Sequence, residues 1–227
     1  MIFGFDITDP KFSCSLAKEW EEFSTGTAFI LTVFGTEPDR NLIFSDGLTA
    51  TLENAVRTLQ LQLEEISASE GAADLVYAAT KIAACCNLIH RRTHETSEAL
   101  GQGIYLAGAI LYFTPDKYMI LPFGGAVCYA FQDDQLTPQG TPPDTAFICD
   151  ALGGTAHWTP QIWQGTRHPH TRLLLASRQP AELAACSTIV RELGDDCNHP
   201  NTISMLLRRV IEKQSPGYPT AVAEIHF

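Results

Sequence analysis

Basic residues are scarce in this chain. Fifteen Lys and Arg stand against 26 Asp and Glu, a formal charge of −11 over 227 residues. So acidic a protein lacks the cationic footprint that attracts phosphate backbones or anionic lipid, so no nucleic acid and no membrane is expected among its partners. Long apolar runs are missing too. The longest, GIYLAGAILYF at 103–113, falls far short of the roughly 20 residues that span a bilayer. The opening MIFGFDITDP has no basic n-region, so no targeting segment is expected. The seven cysteines (14, 85, 86, 128, 149, 186 and 197) form no CxxC pair, and several sit in apolar runs as small core residues do. An odd number without a framework reads as a reduced, cytoplasmic protein. GxSxG, GxGxxG and GxxxxGKS/T are all absent, which removes the nucleophile-elbow, dinucleotide and P-loop readings.

What is present is an ordinary globular composition, 45% hydrophobic and 18% charged, in a length that can bury a substantial core as a single domain over 1–227. Residues 1–75 carry 13 of the acids and only 4 of the bases. That imbalance fits either a soluble surface or an acidic face for a basic partner.

The pattern of apolar residues gives the elements. Thr27–Phe34 reads as a buried strand, EPDRN as a turn, and Leu42–Phe44 as the antiparallel partner. The period then changes. Leu48, Leu52, Val56, Leu59, Leu63 and Ile66 form one stripe of an amphipathic helix beginning after Gly47. Leu75, Ala79, Ile82, Cys86 and Ile89 form a second, separated from the first near Gly71. Strands return at Ile104–Phe113, Tyr118–Leu121 and Ala126–Phe131, parted by TPDK and GG. Residues 133–170, rich in Pro, Gly and Thr, read as loop with short elements. Arg172–Ala176 is a short strand, helices are expected at Ala181–Leu193 and Pro200–Lys213, and Ala221–Phe227 is a terminal strand. Helices segregated from antiparallel strands mean α+β. The order fits a four-layer α/β/β/α sandwich, two antiparallel sheets flanked by helix pairs.

That order, with several short motifs, resembles the metal-dependent protein serine/threonine phosphatases of type 2C. The likeness runs over nearly the whole chain. The family's strand ending in Asp-Gly before a long helix resembles Phe44-Ser45-Asp46-Gly47-Leu48. Its Gly-Asp-Ser-Arg turn falls on Gly124-Gly125-Ala126-Val127, its Leu-Thr pair on Leu136-Thr137, and its Ala-Leu-Gly on Ala151-Leu152-Gly153. Its Leu-Leu-Leu-x-Ser-Asp-Gly strand resembles Leu173-Leu174-Leu175-Ala176-Ser177-Arg178-Gln179, and its closing Asp-Asn falls near Tyr218-Pro219.

The departures carry the functional expectation. The resemblance implies two divalent cations, Mn or Mg, held by carboxylates, because hard cations take oxygen ligands and a metal pair clamps an in-line phosphoryl transfer. The early Asn-Glu-Asp-Ala-Phe falls on Thr25-Gly26-Thr27-Ala28-Phe29, so the metal Asp is Thr27. The phosphate-binding Arg falls on Glu22, the Asp of Ser-Asp-Gly on Arg178, and the late Asp on Tyr218 or a neighbour. Asp46, with the Gly47 carbonyl, is the one matched ligand, and one carboxylate cannot hold two metals. The expectation is a catalytically inactive phosphatase-like module without a cofactor. It would be regulatory or protein-binding, with a partner such as a kinase or a phosphoprotein, and Arg178 would lie near Asp46 in place of the missing cation. Two alternatives stand beside it: an active enzyme with a rebuilt site recruiting Asp150, Asp144 or Glu224, and an unrelated α+β domain, which a different strand order would reveal.

Other candidates are weaker. Cys86, His90 and His94 share a helix face and could bind zinc or nickel, though a helix stripe alone rarely completes four ligands. His168-Pro169-His170 beside Arg167 and Arg172 could bind an anion. Trp158 and Trp163 could line a peptide groove, with partial burial in a flap as the plainer role. Cys85-Cys86, mid-helix and apolar, makes a poor nucleophile.

Overall fold

The computed structural model describes residues 2–6, 13–20, 25–35, 42–132, 135–139, 150–155, 157–168, 171–177 and 221–227. Ten strands and two long helices are built from them. In chain order they are β1 (Ile2–Asp6), β2 (Ser13–Trp20), β3 (Thr25–Gly35), α1 (Leu42–Ser67), α2 (Leu75–Leu100), β4 (Ile104–Phe113), β5 (Lys117–Phe123), β6 (Val127–Gln132), β7 (Gln135–Gln139), β8 (Trp163–Thr166), β9 (Arg172–Ala176) and β10 (Ala221–His226). The strands form two antiparallel sheets, ordered β2-β3-β4-β5-β8 and β1-β10-β9-β6-β7. The fold is thus the expected α+β sandwich. The helices expected at 181–193 and 200–213 lie outside the described residues.

Strand β3 shows how the layers are encoded. Its side chains alternate between two cores, because successive residues of a strand point to opposite faces. Phe29, Leu31 and Val33 pack on the helix side, while Ala28 and Ile30 pack between the sheets. Strand β4, paired with it from Gly26↔Phe113 to Gly35↔Ile104, divides the same way. Leu106, Ile110 and Tyr112 face the helices, and Ala109 and Leu111 face the second sheet. Bulky residues fill the helix-facing side, and many alanines let the two sheets approach.

The helix stripe lies as its spacing predicts. Leu48, Leu52, Leu59, Leu63 and Ile66 are buried and Val56 packs against them. The start of α1 differs from expectation. Leu42–Phe44 is not a strand but the first turn of the helix. Phe44 stands four residues before Leu48, a helical spacing that a three-residue apolar run read in isolation conceals. Helix α2 begins with Asp74 as N-cap, its Oδ1 accepting the Val76 N–H at 2.8 Å, and ends at Gly101. The Tyr112 hydroxyl donates to the Ala72 carbonyl at 2.8 Å, tying the connection between the helices to the sheet beneath. Strands β1 and β2 lie where no element was expected, and β7 and β8 are short strands within the expected loop region.

Leu59 is 1% exposed and Leu61, on the opposite side of the helix, is 59% exposed. Leu59→Ala should lower unfolding free energy by about 2–5 kcal/mol, while Leu61→Ala should change it by less than about 0.5 kcal/mol. Urea denaturation of the two variants checks both the stripe and its orientation.

Candidate functional site

One end of the sandwich gathers the strand termini at which the resemblance locates a site. Strand β3 ends there at Gly35, opposite Ile104 at the start of β4. The short turn Gly124–Ala126 carries the chain from β5 in one sheet to β6 in the other, so these ends lie together. In the second sheet β6 starts at Val127 opposite Ala176, and Ala221 at the start of β10 pairs with Asp6 at the end of β1. Ser177 closes this corner: its N–H donates to the Ala221 carbonyl at 2.9 Å and its Oγ accepts the Ala221 N–H at 3.0 Å.

The described side chains at this end do not form a cluster of metal ligands. Phe34, the last residue but one of β3, lies against Tyr105 across the strand pair, ring centroids 5.5 Å apart. Asp150 stands at the rim. Its Oδ2 accepts the Gly124 N–H at 3.1 Å, and its carbonyl accepts the Trp158 Nε1–H at 3.0 Å. Burial pushes the Asp150 carboxyl up to about 6, with the Gly124 N–H pulling the other way.

Beside it, the segment Asp150–Trp158 is clasped to α2. Leu152 bridges to Leu106 by two backbone bonds of 2.9 Å. The Gly153 N–H donates to Nδ1 of the buried His90 at 2.9 Å. Gly153 has φ +90, and a Cβ there would come within 2.8 Å of the Ile104 carbonyl, so glycine alone fits. His90 accepts with Nδ1 and is therefore neutral; burial holds its pKa below the ordinary value. Its ring stacks with His94 and with Trp158, each at 6.4 Å.

The expected site residues are placed as follows. Asp46 and Gly47 do not end a strand; they lie in the second turn of α1, with Asp46 exposed. Thr27 is buried on the helix-facing side of β3, and its hydroxyl donates to the Leu111 carbonyl at 2.7 Å. It stands seven residues, about 23 Å, from Phe34 along the strand, so Thr27 and the β3 terminus do not meet. Glu22, Arg178, Tyr218 and Asp144 lie outside the described residues. Glu224 is fully buried, but on the face of β10 opposite Ala223 and Ile225, where its Oε1 is 2.8 Å from His226 Nε2. It does not face the cleft between the sheets.

Cys86, His90 and His94 share a helix face without forming a metal site. The Cys86 thiol is buried with its pKa well above the ordinary value, chiefly through burial, and His94 Nδ1 lies 3.4 Å from the Gly153 carbonyl. Among the described residues no three His, Cys, Asp or Glu side chains are placed to hold a metal ion. Arg167 is engaged by its own fold. Its guanidinium lies 4.5 Å from the Phe227 ring centroid and 5.1 Å from that of Phe113, and Nη1 donates to the Thr114 carbonyl. Trp158 is 7% exposed and packs on Phe123, which removes it from any peptide groove. The feature that sequence reasoning missed is the end of β3. An apolar strand closing on Gly35 shortly before a helix was the available signal.

No family model and no curated protein matches this chain significantly. Solved structures do. A Streptococcus agalactiae serine/threonine phosphatase superposes with a TM-score of 0.75 at 9% identity, covering 100% of this chain and 99% of that one. The catalytic domain of the serine/threonine protein phosphatase PstP, solved with two manganese ions, gives 0.68 at 14% identity over 99% and 96%. PppA from Pseudomonas aeruginosa, described as a key regulatory component of T6SS, gives 0.70 at 14% identity over 100% and 97%. The fold is that of the type 2C serine/threonine phosphatases, and the reading as an unrelated α+β domain is set aside. No helix among the described residues is long and apolar enough to cross a membrane.

The raised Asp150 value has a testable sign. A folded-state pKa near 6, above the ordinary 3.8, means that the buried carboxylate costs stability once pH rises past its folded value. That cost disappears as pH falls below the ordinary carboxylate range, where both states are protonated. Asp150→Asn keeps an acceptor for the Gly124 N–H. It should raise the melting temperature at about pH 8, with the gain shrinking as pH is lowered through about 6 to about 4.

Proposed function

We propose that this chain is a phosphatase-fold module without two-metal chemistry, serving as a regulatory or protein-binding domain. The observation that carries the reading is the junction of β3 and α1. In the resemblance, the strand that leads into the long helix ends in Asp-Gly. Here that strand is β3, and it ends in Val33-Phe34-Gly35. On this reading Phe34, its ring tilted against that of Tyr105, takes the position that the resemblance gives to a metal-binding carboxylate.

The described residues do not fit a pair of divalent cations. Such ions need several oxygen ligands converging from different strands. At the described cleft end the carboxylate with a defined side-chain position is Asp150. It is committed to the Gly124 N–H, and one carboxylate cannot supply the several oxygen ligands that two cations need. No catalytic step through a metal is derived for this chain. PppA is named as a regulatory component, and by analogy a regulatory role with a protein partner, such as a kinase or a phosphoprotein, is assigned here.

Calorimetry with manganese and with magnesium, paired with turnover of an aryl phosphate, tests the proposal. The expected result is no micromolar binding of either ion and no turnover above buffer. Micromolar affinity accompanied by turnover overturns it in favour of an active phosphatase with a rebuilt site.

A further inference from the structure

The two long helices pack side by side and share one core cluster, and two of their contacts bracket a groove. At one, Gly47 of α1 meets Leu100 of α2: a Cβ on Gly47 would stand 2.9 Å from Leu100 Cδ1. At the other, the Cys85 thiol reaches the Thr58 carbonyl at 3.8 Å. Between these contacts lies a groove of about 630 Å³, within the roughly 300–1,000 Å³ of small-molecule sites. From Gly47 to Thr58 it runs about 16 Å along α1.

The groove exists because the residues lining it are small. Thr51, Ala55, Ile89 and Thr93 form its buried floor. The threonine hydroxyls on α1 are consumed within the helix: Thr51 Oγ1 donates to the Gly47 carbonyl and Thr58 Oγ1 to the Asn54 carbonyl, each at 2.7 Å. On α2 Thr96 does the same to Arg92 at 2.8 Å. With these three donors satisfied within the helices, the groove is more apolar than its threonines suggest.

Two polar groups interrupt it. Asn54 lies on the same stripe of α1 as Gly47, Thr51 and Thr58, and so on the midline of the groove. Arg92 lies on the stripe of α2 that carries Ile89 and Thr96. No carboxylate lies within ion-pair distance of Arg92 among the described residues. Glu95 also lines the groove, but at about 100° per residue it is turned about 60° further towards solvent than Arg92.

We propose that this groove binds an amphipathic carboxylate, its aliphatic chain on the methyl-lined floor and its carboxylate on the Arg92 guanidinium and the Asn54 amide. A planar guanidinium offers a carboxylate two parallel hydrogen bonds, and an apolar groove with few convergent polar groups is the usual form of such a site. The site lies on the outer helix layer and is independent of the metal question.

Decanoate, kept below its micellar concentration, is the probe, with decyltrimethylammonium as the same tail bearing the opposite charge. Calorimetry and thermal shift of the full chain should show one decanoate bound with a rise in melting temperature, and the ammonium compound bound at least about tenfold more weakly. Arg92→Gln should weaken decanoate binding by about tenfold. Asn54→Leu, an exposed helix position whose new side chain fills the groove, should abolish binding without lowering the melting temperature. Failure of the folded protein to bind decanoate overturns the proposal, as does equal binding of the two tails. Binding untouched by both substitutions does the same.

Discussion

The antiparallel pair of β3 and β4 is the constraint on which the rest of the structure rests. Ten successive residue pairs run from Gly26↔Phe113 to Gly35↔Ile104, and almost every side chain on both strands is buried. A strand pair covered on both faces cannot slip by one residue, because a slip would carry the whole helix-facing set of one strand to the inter-sheet side. The helices need Phe29, Leu31, Ile110 and Tyr112 on their side, and the second sheet needs Ala28, Ile30, Ala109 and Leu111 on the other. The register of this one pair fixes the spacing of both interfaces. It also fixes where β3 ends, and thus what stands at the mouth of the sandwich.

The legibility of the chain follows from the same physics. The two helix stripes were plain because a spacing of three and four residues sustained over about four to five turns has no other explanation. The core strands β3, β4, β5, β6 and β9 were plain because they are dense in β-branched, aromatic and aliphatic residues between turn signals. Leu42–Phe44 misled because three apolar residues carry no period, and the helix phase shows only when Phe44 is joined to Leu48 and Leu52. Strands β1 and β2 escaped because Ile2–Asp6 and Ser13–Trp20 mix polar and apolar residues, and pairing with β10 and β3 supplies what their own composition does not.

The candidate site was legible only in outline. The dipeptide Asp46-Gly47 matched a motif by letter, yet it belongs to a helix turn. What decides the matter is topological: the strand that feeds the long helix is β3, and its final residues carry no chemical letter to search for. Phe34 becomes informative only when its strand, its end of the sandwich and its partner Tyr105 are known. His90 shows the same limit. Its helical spacing with Cys86 and His94 suggested a ligand, whereas its role is set by a contact 63 residues away, the Gly153 N–H.

Why an aromatic pair should stand in a cleft that family resemblance fills with carboxylates is an electrostatic question. Acids converging at strand ends repel one another and lose solvation, and bound cations supply the compensation. Without them each buried carboxylate raises its pKa or is lost. Asp150 shows the first outcome. One backbone N–H is its compensation, and its carboxyl is driven up to about 6 even so. At the end of β3 no charge is at stake, and the strand end is held by ring contact between Phe34 and Tyr105. The acids of the helix layer lie instead at exposed positions such as Asp46, Glu53, Glu64, Glu65 and Glu98, where water solvates them and they cost the fold little. In the helix layer negative charge is thus kept on the surface, where water solvates it. That is the distribution a type 2C fold needs if it is to stand without its metals.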